Sequence, residues 1–216
     1  MKLCAILPAA GHSSRMGEVK ALLPLPLLAG GGMCSALECL ARLYRAAGLR
    51  DILVVSGFHA EAVEGVARAL SLAVTRNTRP EQGMFSSVCA GLCATTPDCE
   101  AIFIHPVDVP LVRPQTLHLL ADAAAKASNA RGRLSCPAVL IPRHNGKEGH
   151  PPLLPAIFKD SVLSYSGEGG LRAALAALPL RPVDTPDSFV LEDMDTPNDY
   201  ARLQRLAVRR ASEQQG

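Results

Sequence analysis

The stretch LPAAGHSSRMGEVK, residues 7–20, sets two glycines and two serines beside Arg15 and Lys20, directly behind the apolar opening MKLCAIL. A loop of that composition at a strand's end offers successive backbone N–H groups to an anion. Ala9, Ala10 and Gly11 through Gly17, with the Ser13 and Ser14 hydroxyls, suit a polyphosphate, and Arg15 and Lys20 add charge. Each charge-assisted hydrogen bond of this kind is worth about 1.5–3 kcal/mol. A Walker A loop is excluded, because it needs four residues between its glycines and Lys directly after the second. Here five intervene and Lys20 lies three past Gly17. A dinucleotide fingerprint is excluded too, since it needs GxGxxG and an acid ending the second strand, and that strand ends VVSG.

Further along, HPVDVP (105–110) places Asp108 between two prolines behind the apolar run AIFIH. A rigidly held carboxylate at a strand's end suits Mg2+, which prefers carboxylate and phosphate oxygen. LEDMDTPNDY (191–200) holds three Asp and one Glu, and of these Asp195 is the favoured second metal ligand. Asp195-Thr196-Pro197 is equally a good helix start. RPEQGMFSSVCAGL (79–92) joins the Gly83 turn to a helix, where Gly83 and Ser87 could read a base or ribose and Ser86 could simply cap the helix. KEGHPPLLP (147–155) and GEGGLR (167–172) put His150 and Arg172 in loops, where each faces an anionic acceptor or shapes a turn.

The elements that must position these residues alternate in type. Strands are expected at 3–7, 51–57, 73–76, 101–105 and 137–142, and helices at 35–47, 59–70, 86–94 and from Pro114 to about residue 127. That order gives an α/β, Rossmann-like, doubly wound and mostly parallel sheet with helices on both faces. Beyond residue 143 a helix at 170–178, strands at 180–184 and 189–192 and a helix from Pro197 are expected, with a small antiparallel addition in this half. The division expected is one domain over 1–208 and a disordered tail over 209–216.

Composition narrows the function class. The 216 residues are 48% hydrophobic and 19% charged, which makes a globule, and a net charge of +2 with few aromatics argues against nucleic-acid binding. Seven cysteines without a CxxC pair read as reduced, mostly buried thiols of a cytoplasmic chain. No apolar run approaches the roughly 18 residues of a membrane span, so no membrane partner is expected.

Taken in order, PAAGHSSRMGEVK, GMFSSVCAGL, DVP, GHP, GEGGLR and DMDTPNDY resemble the motifs of the molybdenum cofactor cytidylyltransferases and their guanylyl relatives, a MobA-like NTP transferase family. The resemblance spans about residues 3–206. It implies the nucleotide-diphospho-sugar transferase type of fold. It also implies that Ala9, Ala10, Gly11, Ser13, Ser14 and Gly17 hold an NTP, that Arg15 and Lys20 stabilise its triphosphate, and that Gly83 and Ser87 lie near base and ribose. Asp108 and Asp195 would hold Mg2+. His150 and Arg172 remain the acceptor-side candidates. The double alanine before Gly11 resembles the cytidylyl branch and favours CTP.

The implied reaction is in-line attack by an acceptor phosphate or hydroxyl on the α-phosphate, with pyrophosphate leaving and Arg15, Lys20 and Asp108 as the catalytic set. The expected acceptor is molybdopterin or its molybdenum cofactor, and the expected macromolecular partner is a molybdoenzyme or its chaperone. A sugar- or alcohol-phosphate nucleotidyltransferase and a catalytically inactive nucleotide-binding module are the alternatives. Three residues depart from the pattern: Pro8 for Leu, Glu168 for Asp, and His105 where small residues are commoner.

Overall fold

The computed structural model describes residues 1–12, 16–26, 32–126 and 137–213, with side chains described through Arg210. In chain order the elements are β1 (Leu3–Pro8), β2 (Pro24–Pro26), β3 (Met33–Ser35), α1 (Ala36–Ala46), β4 (Ile52–Ser56), α2 (Ala60–Ala69), β5 (Ala73–Arg76), α3 (Met84–Ala94) and β6 (Ala101–Ile104). Then come α4 (Pro114–Lys126), β7 (Val139–His144), β8 (Lys147–Glu148), β9 (Leu153–Pro155), α5 (Lys159–Leu163), α6 (Gly170–Ala176), β10 (Leu180–Asp184) and α7 (Pro197–Glu213).

Strict alternation in the inner strands decides the layering. Ala5, Leu7, Ile52, Val54 and Phe103 enter a core with α1, α2 and α4 residues such as Leu40, Val63 and Leu117. Cys4, Ile6, Val55, Ile102 and Ile104 enter a second core with Val88 and Leu92 of α3 and Ala174 and Leu175 of α6. A strand buried on both faces must be apolar throughout, which explains the unbroken runs at 3–7 and 101–104. The main sheet runs β10-β7-β9-β6-β1-β4-β5, with β8 attached to β7. β1 pairs parallel with β4 and β6, and β4 with β5, while β9 runs antiparallel to both β6 and β7. The chain winds outward from β1 through β4 to β5, then returns to β6 on β1's other side. The carboxyl ends of β1 and β6 therefore flank the switch point at which open α/β sheets bind ligands.

The doubly wound sheet is as expected, and several details are not. β8 and β9 supply the antiparallel addition expected in the second half, whereas β10 pairs parallel with β7. The expected strand at 189–192 is a 3-10 turn, Ser188–Leu191, because the Asp187 carboxylate accepts from Phe189 N–H (3.1 Å) and tightens the chain there. An antiparallel pair, β2 with β3, appears in the first half, where Pro24 and Pro26 masked a strand. α3 begins at Met84 with Gly83 at its N-cap. Ser86, inside the first turn, donates back to the Gly83 carbonyl (2.7 Å) and does not cap the helix. α7 runs through Glu213, past position 209 where a disordered tail was expected.

The cysteines also depart from expectation. Cys4 on β1 and Cys99 just before β6 are joined as a disulfide, with Cα atoms 6.1 Å apart, because β1 and β6 are adjacent strands. The described cysteines left free are Cys34, Cys39, Cys89 and Cys93, of which Cys93 is exposed. Cys136 lies outside the described residues. No helix among the described residues is long and apolar enough to cross a membrane.

Candidate active site

A cavity of about 480 Å³ opens at the carboxyl ends of β1 and β6. Its floor is the backbone of Ala9, Ala10 and Gly11, where β1 leaves the sheet. Ala9 N–H still bonds the Val55 carbonyl (2.9 Å), and Phe58 N–H donates to the Ala10 carbonyl (3.3 Å). That second contact needs Gly57. A Cβ there would lie 2.5 Å from the Ala10 Cβ and 2.8 Å from its carbonyl oxygen, so only glycine lets the two loops touch. The contact sets Phe58 beside the His12 ring (centroids 5.0 Å apart, edge-on) at the cavity wall.

Three charged side chains meet at one end of the cavity. Lys20, opening a 3-10 turn at Lys20–Leu22, puts Nζ 2.5 Å from Asp195 Oδ1 and 3.5 Å from Asp108 Oδ2. Asp108 rides the turn that follows β6, fixed by His105 N–H to the Ile6 carbonyl (2.9 Å). Met194 N–H donates to the Asp108 carbonyl (3.0 Å), tying the 193–195 segment to the same turn. Asp195 stands just before α7, whose start is a capping box: Thr196 Oγ1 accepts from Asp199 N–H (3.3 Å), and Asp199 accepts from Thr196 N–H (3.0 Å) and Oγ1 (2.6 Å). The helix start expected at Asp195-Thr196-Pro197 is present, with Thr196 as its N-cap.

The electrostatics reflect that crowding. Burial, then Asp195 and Asp108, hold the Asp193 carboxyl above the usual range, opposed by Lys20. Burial pushes His150 down, against the pull of Asp108 and Asp193. Among the described residues no three His, Cys, Asp or Glu side chains gather as a metal site, and the donors on offer are the two carboxylates that converge on Lys20. Mg2+ commonly takes one or two protein carboxylates and fills its remaining positions with water and substrate phosphate.

The opposite wall is built by Pro80, Glu81, Gly83, Met84 and Ser87. Gly83 adopts φ +89°, a conformation side chains rarely allow, and this turn starts α3. The Ser87 hydroxyl is buried and accepts from the Asn77 amide (3.0 Å).

Of the residues expected at the site, Ala9, Ala10, Gly11, Lys20, Gly83, Ser87, Asp108 and Asp195 line this one cavity. Gly17, at φ +72°, lies on the loop but not in the lining. Ser13, Ser14 and Arg15 lie outside the described residues. His150 stands electrically near Asp108 yet outside the lining, and Arg172 is exposed on α6, away from it. His12, Phe58, Glu81 and Met84 line the cavity and were not singled out. The signal for Phe58 was its place directly behind a strand's carboxyl end.

This sheet order, with the cavity and its two carboxylates at the β1/β6 crevice, is the nucleotide-diphospho-sugar transferase fold of nucleotidyltransferases. Residues 5–183 match the MobA-like NTP transferase domain, and the chain belongs to that family. It is 27% identical over 198 residues to the molybdenum cofactor cytidylyltransferase of Escherichia coli, covering 90% of this chain and 92% of that one. It is 30% identical over 205 residues to the nicotine blue oxidoreductase of Paenarthrobacter nicotinovorans, covering 92% and 94%. Among solved structures, a Mycobacterium tuberculosis protein in complex with manganese shares the fold at TM-score 0.71 and 23% identity, covering 95% of this chain and 98% of that one.

Proposed function

We propose that this chain is a Mg2+-dependent cytidylyltransferase that moves CMP from CTP to a phosphate of a molybdopterin-type acceptor and releases pyrophosphate. The observation that carries the reading is the meeting of Lys20, Asp108 and Asp195 at one end of a cavity floored by the Ala9–Gly11 backbone. The floor amides hold the triphosphate, with Gly17, Ser13 and Ser14 completing the loop and Arg15 and Lys20 countering its charge. Gly83 and Ser87 stand at the base and ribose. Asp108 and Asp195 hold Mg2+, which supplies charge neutralisation on the phosphates; the manganese complex of a relative in fold agrees with a divalent ion here.

An acceptor phosphate oxygen forms the new bond to the α-phosphorus as the bond to the β-phosphate oxygen breaks. The protein's part is alignment and charge stabilisation, with no covalent enzyme intermediate. We assign the acceptor to His150, beside Asp108, and to Arg172 on α6. The product would pass in the cytoplasm to a molybdoenzyme or its chaperone.

The test is pyrophosphate release with CTP, GTP and ATP, each against molybdopterin and a panel of sugar and alcohol phosphates. Release with CTP and molybdopterin is expected. Preference for GTP moves the base assignment, and preference for another phosphate moves the acceptor. Absence of release with every pair overturns the transferase reading. Oxidoreductase activity on nicotine blue instead would point to the chemistry named for the second relative.

A further inference from the structure

His105 is fully buried, and so is Tyr44 of α1, packed edge-on against it with ring centroids 5.7 Å apart. His105 Nε2 lies 2.8 Å from the Val109 carbonyl and Nδ1 lies 3.0 Å from the Tyr44 hydroxyl. A carbonyl only accepts, so Nε2 carries the hydrogen. The neutral ring's Nδ1 then accepts from the Tyr44 hydroxyl. Burial, the main cause, pushes the imidazole down to about 3, which keeps it neutral. Both ring nitrogens are therefore used, and the ring closes the 105–109 turn across its mouth.

Pro106 and Pro110 have no N–H to donate, so the turn is tied to β1 by His105 N–H to the Ile6 carbonyl (2.9 Å) and, at the longer 3.4 Å, Val107 N–H to the Pro8 carbonyl. Val109 N–H reaches the Pro106 carbonyl at 3.3 Å, and the Asp108 carbonyl receives Met194 N–H at 3.0 Å. A shift of this turn therefore moves Asp108 and, through Met194, the segment carrying Asp195. An apolar residue would fill the same space but leave the Val109 carbonyl and the Tyr44 hydroxyl without this partner. A small residue at this position would leave the same two groups unpaired.

We infer that His105, oriented by Tyr44, is a positioning residue that sets the spacing of the Asp108 and Asp195 carboxylates through the Val109 carbonyl. The inference rests on the reading of those two carboxylates as divalent-ion ligands. It is tested with Mn2+, whose free form is counted by electron paramagnetic resonance, in the presence of CTP, alongside thermal melting. Outer partners of metal ligands commonly carry about tenfold or more in affinity, so His105→Leu should weaken Mn2+ binding by about that factor, with a lower melting temperature from the two unpaired buried groups. His105→Gln keeps an N–H for the Val109 carbonyl and should bind within about twofold of the wild type, and Tyr44→Phe should fall between them.

Unchanged Mn2+ affinity in both His105→Leu and Tyr44→Phe overturns the positioning role. So does an equal loss of Mn2+ affinity in Val63→Ala, a core change away from the turn that lowers the melting temperature comparably, as a merely structural histidine would give. Should His105→Leu fail to fold, Tyr44→Phe against His105→Gln decides the matter. A wild-type protein that binds no Mn2+ removes the ligand reading itself, and the positioning role with it.

Discussion

At Lys20 one ammonium sits between the two carboxylates, 2.5 Å from Asp195 and 3.5 Å from Asp108. A divalent ion held by the same oxygens must compete with that charge until nucleotide phosphates draw the ammonium away. Lys20→Met should therefore do two opposite things. Loss of one charge contact in the transition state costs about 2.7–4 kcal/mol, so transfer should fall about a hundred- to thousandfold. Mn2+ binding without nucleotide should tighten, as calorimetry would read. Retained turnover, or weaker Mn2+ binding, would contradict this geometry. Asp108→Asn should lose both properties. Asp195→Asn should be milder, since its side chain is 38% exposed against 16% for Asp108 and is better served by water. The Ala10 side chain adds a nuance to base choice. Its methyl group faces Gly57, so any effect of the double alanine on the base acts through the Gly57–Phe58 loop.

Among the elements, α4 depends on a cap supplied from far along the chain. Asp187, 3% exposed, accepts from Arg113 N–H (2.7 Å) and Thr116 Oγ1 (2.8 Å) at the start of α4, and from Phe189 N–H (3.1 Å) behind it. Asp187→Ala leaves those donors buried without it and should cost about 3 kcal/mol. The urea midpoint should drop with an unchanged slope, and a loss below about 1 kcal/mol would show the cap to be dispensable. The same residue explains where sequence reading stopped. Pro114 marks the start of α4 locally, but nothing near it names an acid 74 positions later. Phe189-Val190-Leu191 reads as a strand because its apolar run is visible and its turn-forming bond is not. β1 and α1 were legible because their periodicity is local, as were the loop behind β1 and Asp108 in the turn behind β6, each at a strand's end. Phe58, Glu81 and Met84 became site residues only through the meeting of loops. The Cys4–Cys99 pair follows from β1 lying beside β6, a fact of topology rather than of spacing.

Across the whole molecule, the two cores on either side of the sheet join a third, where Leu23, Leu25 and Ala36 pack with Met194 and with Leu203 and Ala207 of α7. This third core clamps the end of the sheet that carries the charged cluster, so global stability and site geometry share a foundation. Stability should depend on pH for a reason located in the same region. His105 has an ordinary value of 6.5 and is held near 3 by burial, so between those limits the unfolded chain binds a proton that the folded chain refuses. Its contribution is present above about pH 6.5 and is lost as pH falls, by up to roughly 1.4 kcal/mol per unit. His150 is shifted in the same direction, with Asp108 and Asp193 opposing the shift. The carboxyls of Glu64 and Asp184 are shifted down, by the Ser56 hydroxyl first for Glu64 and by Arg143 for Asp184. Their contributions persist above the ordinary carboxylate range and fail only in stronger acid. The urea midpoint should therefore begin to fall near pH 6.5, about two units before the carboxylates act. His105→Gln, which cannot take up that proton, should show a shallower fall between pH 6.5 and 5. A wild-type midpoint that stays level across that interval would place the imidazole's ionisation elsewhere.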